Sequence, residues 1–268
     1  MLPFRADDRD RATGKRFLLS LTYLGHSAFK FALPGACLYT DPYFQDPVDW
    51  RRLEKGDIVL FSHGHFDHGV LLAPQLWEAW QCQFVAPAAL VSWMARKYRR
   101  KIPLKAFTPL DHGETTSLSG ITITAVPAHH PLTRLGKTIL ALFARSSAPG
   151  NPVNGYYFDG YYHSGDTVYT PAIREALRGR AVHTACLPIG GKYKVASPQE
   201  AIRIAEEIGA PRLVPMHWQP LMEQVPFRYK PSDLLRLAEG SRTAVKICPL
   251  AVGEVLEGPE VTAQERQS

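Results

Sequence analysis

The feature that most constrains this chain is a group of histidines directly after a short apolar segment. Residues 58–61, Ile-Val-Leu-Phe, have the length and β-branching of a buried strand, so the histidines that follow lie at its carboxyl end. In an extended segment alternate residues share a side, which sends His63, His65 and Asp67 one way and His68 another. Two metal ions a few Å apart can divide four such side chains, whereas one ion cannot conveniently take them all. The stretch therefore predicts a dinuclear metal site rather than a polar surface loop.

The motif His-x-His-x-Asp-His at residues 63–68 resembles the signature of the metallo-β-lactamase superfamily of dinuclear metal hydrolases. Residues 23–29, 39–42 and 187–190 resemble the Gly-His-Ser, Asp-Pro and Leu-Pro-Ile-Gly segments of one branch of it. That branch contains ascorbate-6-phosphate lactonases and N-acyl-phosphatidylethanolamine phospholipase D. The resemblance covers nearly the whole chain after residue 17. It implies an α/β (α+β) fold, the four-layer αββα metallo-β-lactamase sandwich.

The resemblance also implies a set of metal ligands, each of which follows a predicted strand. The first metal would take His63, His65 and His130, the second Asp67, His68 and His217, and Asp166 would bridge the two. A carboxylate with two oxygens suits a bridging position.

The third ligand of the first metal has two candidates. Generic members carry Pro-Gly-His, which would select His129. The phospholipase-D-like branch carries Pro-Ala-x-His with an arginine four residues on, and His130 with Arg134 fits that pattern. We predict His130, with His129 as a pocket residue or the alternative ligand.

Further residues are predicted to assist the metals. Asp41 ends a strand beside the site and would accept the free N–H of a ligating histidine. His26 would lie at the rim of the pocket, and Lys192 and Tyr193 would bind an anionic group or protonate a leaving group. The predicted catalytic residues are Asp67, Asp166, His26, Lys192 and Tyr193, and Asp41 is predicted to support a ligand. Turn or loop chemistry is the alternative for Asp41, His26, Lys192 and Tyr193.

No shift in composition marks a second domain in the 268 residues. We expect a flexible arm over residues 1–16, one metallo-β-lactamase-like domain over 17–254, and a loose charged tail over 255–268. The apolar segment 131–152 is either a lid beside the site or an extra element packed on the core.

Charge and cysteine usage narrow the partners and the compartment. The net charge of +6 permits an acidic partner, but the densest basic run, residues 96–101, is typical of a solvated helix end. No apolar run of about 18 residues predicts a membrane span, and residues 1–16 lack the apolar core of a signal peptide. Four widely spaced cysteines are predicted to be buried free thiols, which favours the cytoplasm. Nothing in the sequence excludes a homo-oligomer.

The function predicted from these observations is dinuclear metal-dependent hydrolysis of a phosphodiester or a lactone or ester by a metal-bound hydroxide. The cofactors would be two divalent ions, Zn or Mn, with Fe as the third choice. The substrate would be an anionic small molecule or lipid, because such a centre carries net positive charge.

Three other functions use the same residues. One is a transfer-RNA or nucleic-acid-processing hydrolase, although the chain lacks room for the clamping domain of larger nucleases. Another is iron-dependent redox chemistry, although redox relatives usually carry glutamate where His65 stands. The third is a metal-binding protein without catalysis.

Overall fold

The two β-sheets of this protein lie face to face, with helices on the outer side of each. The computed structural model describes residues 16–44, 48–131, 148–192, 194–219 and 227–262. Each sheet has seven strands among these residues, and each outer face carries its own apolar cluster with helices. The predicted four-layer αββα sandwich is confirmed.

The first sheet is antiparallel at one side and parallel at the other. Its strands are β1 (Arg16–Gly25), β2 (Ala28–Leu33), β3 (Ala36–Thr40), β4 (Ile58–Leu60), β5 (Gln83–Ala86), β6 (Phe107–Pro109) and β14 (Val255–Thr262). They lie in the order β14-β1-β2-β3-β4-β5-β6. The pairs from β14 to β3 are antiparallel, since short turns join β1 to β2 and β2 to β3, and the remaining pairs are parallel.

The second sheet repeats this arrangement. Its strands are β7 (Thr115–Leu118), β8 (Ile121–Pro127), β9 (Asn154–Phe158), β10 (Tyr161–His163), β11 (Thr184–Pro188), β12 (Arg212–Met216) and β13 (Lys246–Ile247). They lie in the order β13-β12-β11-β10-β9-β8-β7. The pairs from β7 to β10 are antiparallel and those from β10 to β13 are parallel.

Helices connect the parallel strands from β4 to β6 and from β10 to β13, because parallel neighbours need a crossover connection. They are α1 (Ala73–Trp80), α2 (Ala88–Tyr98), α3 (Pro171–Ala176), α4 (Pro198–Glu207) and α5 (Pro231–Ser241). Helix α4 begins with a capping box, because the Ser197 hydroxyl accepts from the Glu200 backbone N–H while the Glu200 carboxylate accepts from the Ser197 N–H. Ser, Pro and Glu at these positions predicted this helix start from sequence.

The space between the sheets is filled by large apolar and aromatic side chains from both. Phe31 of β2 meets Phe158 of β9 and Tyr161 of β10 edge to face, each with ring centroids 4.9 Å apart. Leu21 and Ile123 are completely buried in the same cluster. This contact fixes one sheet against the other and therefore fixes the loops that each sheet carries.

The strand directions bring the predicted metal loops to one edge of each sheet. Strands β1, β3 and β4 run the same way, because β1 and β3 are both antiparallel to β2 and β4 is parallel to β3. Strands β8, β10 and β12 run the same way for the equivalent reason. The two edges are joined by hydrogen bonds, in which the Asn154 N–H donates to the Ser62 carbonyl and the His217 N–H to the His26 carbonyl, both at 2.9 Å.

The structure bears on three predictions from the sequence, which concern the C-terminal tail, the cysteines and a membrane span. The prediction of a loose tail from residue 255 is wrong over Val255–Thr262, which form β14 and pair with β1, while residues 263–268 lie outside the described ones. Glu257, Gly258, Pro259 and Glu260 interrupt the apolar residues of this segment and masked the edge strand in the sequence. The four cysteines are buried free thiols, as predicted. Among the described residues, no helix has the length and apolar character that crossing a bilayer requires.

Removal of β14 should destabilise both sheets. Its Gly258 lies against Leu19 and the Tyr161 hydroxyl, and the Glu257 carbonyl accepts from the Arg212 guanidinium of β12 at 2.7 Å. We expect a chain that ends at Glu254 to lose several kcal/mol of unfolding free energy, because β1 loses a whole ladder of backbone hydrogen bonds. The measurement is urea denaturation. A chain that ends at Thr262 is the control for shortening alone, and equal midpoints for the two chains would contradict the prediction.

Candidate metal centre

Eight histidine and aspartate side chains converge where the two sheet edges meet. They form two groups of four, and within each group the ligand atoms lie within 4.8 Å of one another. The first group is His63, His65, His130 and Asp166, and the second group is His26, Asp67, His68 and His217. Each residue follows a strand, β1 for His26, β4 for the loop of residues 63–68, and β8, β10 and β12 for the others. The scaffold that holds them is therefore rigid, and the two sheets contribute jointly.

Asp166 faces both groups with a different oxygen toward each. Its Oδ1 lies 3.2 Å from His217 Nε2 and 3.5 Å from His68 Nε2. Its Oδ2 lies 3.9 Å from both His63 Nε2 and His130 Nε2. Its carboxylate thus stands between the two groups, in the geometry that a bridging ligand of two ions needs.

The carboxylate of Asp41 organises the histidine loop from behind. Its Oδ1 accepts from the Ser62 backbone N–H at 2.7 Å, and its Oδ2 accepts from the Ser62 hydroxyl at 2.7 Å and from His68 Nδ1–H at 2.8 Å. The Ser62 hydroxyl has one proton, which it gives to Asp41, so it accepts from His63 Nδ1–H at 2.9 Å. Asp41 therefore assigns the tautomers of His63 and His68 and leaves their Nε2 lone pairs facing the groups.

The other two histidines of the first group are fixed by the chain around them. His130 Nδ1–H donates to the Lys194 carbonyl at 3.1 Å, which leaves its Nε2 toward Asp166. His65 presents Nδ1 instead, 2.7 Å from His63 Nε2. A β-carbon on Gly150 would meet His65 Nε2 at 2.3 Å, so this close approach requires glycine.

Burial and mutual proximity place these groups in the protonation states that bind metal. Burial lowers the pKa of His63, His65 and His130, that of His65 to about 4, so these imidazoles are neutral near pH 7. Burial raises the pKa of Asp166, but the neighbouring His217 and His68 outweigh it and hold that pKa well below the usual range. In the metal-free protein His68 is the exception. Burial lowers its pKa, but Asp41 and Asp166 outweigh burial and raise it well above the ordinary value.

Several buried polar atoms at the centre have no hydrogen-bond partner, and this tests whether the residues fit a metal. They are both ring nitrogens of His26 and of His217, His68 Nε2, Asp67 Oδ1 and Asp166 Oδ1. Buried polar atoms are nearly always paired, and an unpaired one costs about 1–3 kcal/mol. Nitrogen and oxygen lone pairs aimed at common points are what divalent ions bind, so the donor set fits two such ions.

The structure separates the two candidates for the third histidine of the first group. His130 is buried in that group, whereas His129 is exposed and its backbone bonds to residues 167 and 168. His129 and His130 both line a cavity of about 350 Å³ beside the first group. Its other lining residues are His112, Ala128, Pro131, Asn151, Pro152 and Val153.

His26 is placed differently from the expectation. The prediction put it at the rim of a pocket, but it is completely buried inside the second group, with Nε2 3.3 Å from Asp67 Oδ2. The prediction failed because the turn after β1 points inward, toward the other sheet, which the sequence of that turn does not reveal.

The predicted assisting residue Lys192 lies outside both groups. Lys192 is exposed, on a loop whose Gly190 packs tightly against the His217 carbonyl and Phe227. Tyr193, Arg134 and most of the segment 131–152, residues 132–147, lie outside the described residues.

Two residues that support the site were missed from sequence. Ser62 connects Asp41 to His63, and Gln219 accepts from the His26 backbone N–H at 2.9 Å. Ser62 lies within the histidine stretch, so its position was a usable signal, whereas Gln219 offered none.

Comparison with known proteins places this geometry in a family context. A family model described as a beta-lactamase superfamily domain matches residues 32–218, which include every member of both groups except His26. The chain is 28% identical to a UPF0173 metal-dependent hydrolase of Rubrobacter xylanophilus, over 74% of this chain and 81% of the relative. It is also 28% identical to one of Polaromonas, over 92% of this chain and 91% of the relative.

A solved structure shares the fold. Igni18, described as a novel metallo hydrolase from the hyperthermophilic archaeon Ignicoccus hospitalis, superposes with a TM-score of 0.71 at 22% identity. The match covers 91% of this chain and 99% of Igni18.

Loss of the Asp41 carboxylate should weaken metal binding without unfolding the chain. In Asp41→Asn one oxygen becomes an N–H₂ group that cannot accept from Ser62 and His68, and changes of this kind cost about 10–100-fold in metal affinity. Chelator competition measures the affinity. Asp57→Asn is the matched control, because Asp57 Oδ2 accepts from the Cys37 backbone N–H at 2.8 Å at the opposite end of the same sheet. Equal metal affinity in the two variants would contradict the assigned role.

The metal-free protein should be destabilised by mild acid. Burial lowers the pKa of His26, His63, His65 and His130, those of His26 and His65 to about 4. Unfolding restores values near 6.5, so from about pH 6.5 down to about pH 4 the unfolded chain binds more protons and stability falls. The raised pKa of His68 contributes stability that is fully present across this window, so it does not reverse the trend.

We therefore expect a lower urea midpoint at pH 5 than at pH 7 for chelator-treated protein. A midpoint that is equal or higher at pH 5 would show that these histidines are not held neutral by burial.

Proposed function

The chain belongs to the metallo-β-lactamase superfamily, and from that membership we propose that it is a dinuclear metal-dependent hydrolase. The first metal would be held by His63, His65 and His130, and the second by Asp67, His68 and His217, with Asp166 shared. Relatives named metal-dependent hydrolases support the reaction class. The donor chemistry of the two groups supports the metals.

The single observation that carries this proposal is the position of Asp166. One oxygen faces His68 and His217 of the second group, and the other faces His63 and His130 of the first. A buried carboxylate in a structural role would need hydrogen-bond donors, yet Asp166 Oδ1 has none. Two cations, one on each side, would satisfy both oxygens.

The protein residues prepare the site for hydrolysis before a substrate arrives. When bound, two divalent ions lower the pKa of a coordinated water toward neutrality and polarise the bond that is attacked. Asp41, through Ser62, keeps His63 and His68 in the tautomers that offer Nε2. Asp67 and Asp166 are ionised, because neighbouring histidines outweigh burial and lower the pKa of both carboxyls.

We propose an anionic phosphodiester, or a lactone or ester of an anionic small molecule or lipid, as the substrate. The two ligand carboxylates Asp67 and Asp166 and one hydroxide would leave two divalent cations with a net charge of about +1, so the centre would attract anions. The cavity of about 350 Å³ beside the first group has the size of a small-molecule site and carries the exposed His129. Lys192, exposed on the loop after β11, and Tyr193 would assist at the anion or the leaving group.

The proposed metals are Zn or Mn, with Fe as an outcome of the test. Imidazole nitrogens outnumber carboxylates in both groups and suit Zn and Fe, while the carboxylate oxygens of Asp67 and Asp166 suit Mn. The buried free thiols support the cytoplasm as its compartment.

Replacing the bridging carboxylate should remove metal and activity together. We expect about two ions per chain by elemental analysis of protein purified without chelator or added metal, and hydrolysis of a chromogenic phosphodiester or lactone. Asp166→Ala should bind fewer ions and lose at least about a hundredfold in turnover, because neither ion keeps its shared ligand.

Asp49→Ala is the control variant for that experiment. Asp49 is exposed and its carboxylate caps only a short 3-10 turn, at the Arg51 N–H. The proposal fails if Asp166→Ala keeps both metals and full turnover.

A further inference from the structure

We infer that His26 is a fourth protein ligand of the second metal, beside Asp67, His68 and His217. This inference rests on the proposed dinuclear function and extends it to a residue outside the part of the chain that the family model matches. It makes the two metal sites unequal in their number of protein ligands.

The backbone of His26 is held in an uncommon conformation at the end of β1. Its φ is +50°, in the left-handed region, and φ of His217 is +55°. The two strained residues are tied to each other, because the His217 N–H donates to the His26 carbonyl at 2.9 Å. Gln219 Oε1 accepts from the His26 N–H and from the Tyr23 hydroxyl, both at 2.9 Å. Strain held by this many bonds indicates that the position of the imidazole matters.

The imidazole itself is aimed into the second group. It is completely buried, its ring centroid lies 4.0 Å from that of His217, and Nε2 lies 3.3 Å from Asp67 Oδ2. Neither of its nitrogens has a hydrogen-bond partner. His217, a ligand in the proposed function, is the other buried histidine in the described chain with both nitrogens unpaired. His26 thus shares the signature of a metal ligand that has no other partner.

The competing explanation is that His26 only positions Asp67 through a hydrogen bond. Charge-assisted N–H···O bonds are about 2.7–2.9 Å long, and the 3.3 Å contact between His26 and Asp67 lacks hydrogen-bond alignment. Two ligands of one ion at about 2.0–2.2 Å, at 90–110° to each other, are separated by about 3.0–3.5 Å. The observed distance therefore fits shared coordination better than a hydrogen bond.

The consequence is an asymmetric centre. The second metal would have four protein ligands and Asp166 Oδ1, whereas the first would have three histidines and Asp166 Oδ2. The second ion should accordingly be the more strongly retained of the two.

The test is His26→Gly in cobalt-loaded protein, read by metal binding and spectroscopy. Glycine suits a left-handed φ, so the turn is kept while the ligand is removed. Wild type should bind two Co²⁺ per chain. We expect the variant to bind the Co²⁺ of the second group at least about tenfold more weakly in chelator competition than wild type does. Its visible spectrum should also differ from that of wild type. It should also lose one strongly hyperfine-shifted imidazole from its proton NMR spectrum, and added free imidazole should restore the affinity.

A matched control is His183→Ala. His183 is largely enclosed and bonds to the Asp159 carbonyl and the Thr184 hydroxyl before the start of β11, away from the carboxyl ends that carry the metal ligands. It should bind two Co²⁺ with the wild-type spectrum.

The outcomes separate this inference from the proposed function. Wild type with two Co²⁺, and a His26→Gly variant that keeps the spectrum and every shifted imidazole, would overturn the ligand role even if affinity falls. Wild type that binds fewer than two Co²⁺ would overturn the dinuclear function and this inference with it.

Discussion

The carboxylate of Asp41 is the interaction on which the site depends most. It holds Ser62 at the beginning of the histidine loop and His68 at its end, and through the Ser62 hydroxyl it sets the tautomer of His63. One buried acid thus holds both ends of this seven-residue loop. The arrangement works because Asp41 directly follows β3, the strand that pairs in parallel with β4, so that acid and loop leave the sheet side by side.

The second requirement is that both sheets reach the same place. Neither group is complete on one sheet, since residues after β1 and β4 meet residues after β8, β10 and β12. The aromatic contacts between β2, β9 and β10 fix the distance between the sheets, and backbone hydrogen bonds close the edge itself. Core packing therefore determines the positions of the candidate ligands, and a substitution that shifts one sheet against the other should lower the affinity for metal.

The centre contains strained backbone and most of the unpaired buried side-chain polar atoms of the described residues. His26, Asp41 and His217 all have positive φ, which non-glycine residues seldom adopt. The same centre contains buried nitrogens and oxygens without partners. Both features cost stability in the absence of ligands and are expected at a functional site. These two features are structural support for a functional site at this centre, in addition to the sequence similarity to the metallo-β-lactamase superfamily.

The sequence by itself predicted every strand except β14, most helices and most of the candidate ligand residues. Local patterns carry this information, such as the β-branched run before residues 63–68 and the Ser-Pro-Gln-Glu start of α4. Tertiary structure alone decided which of His129 and His130 faces the centre, how deep His26 lies, and that Val255–Thr262 pair with β1. These outcomes depend on contacts between residues far apart in the chain. A local sequence pattern does not identify the distant residue with which such a contact is made.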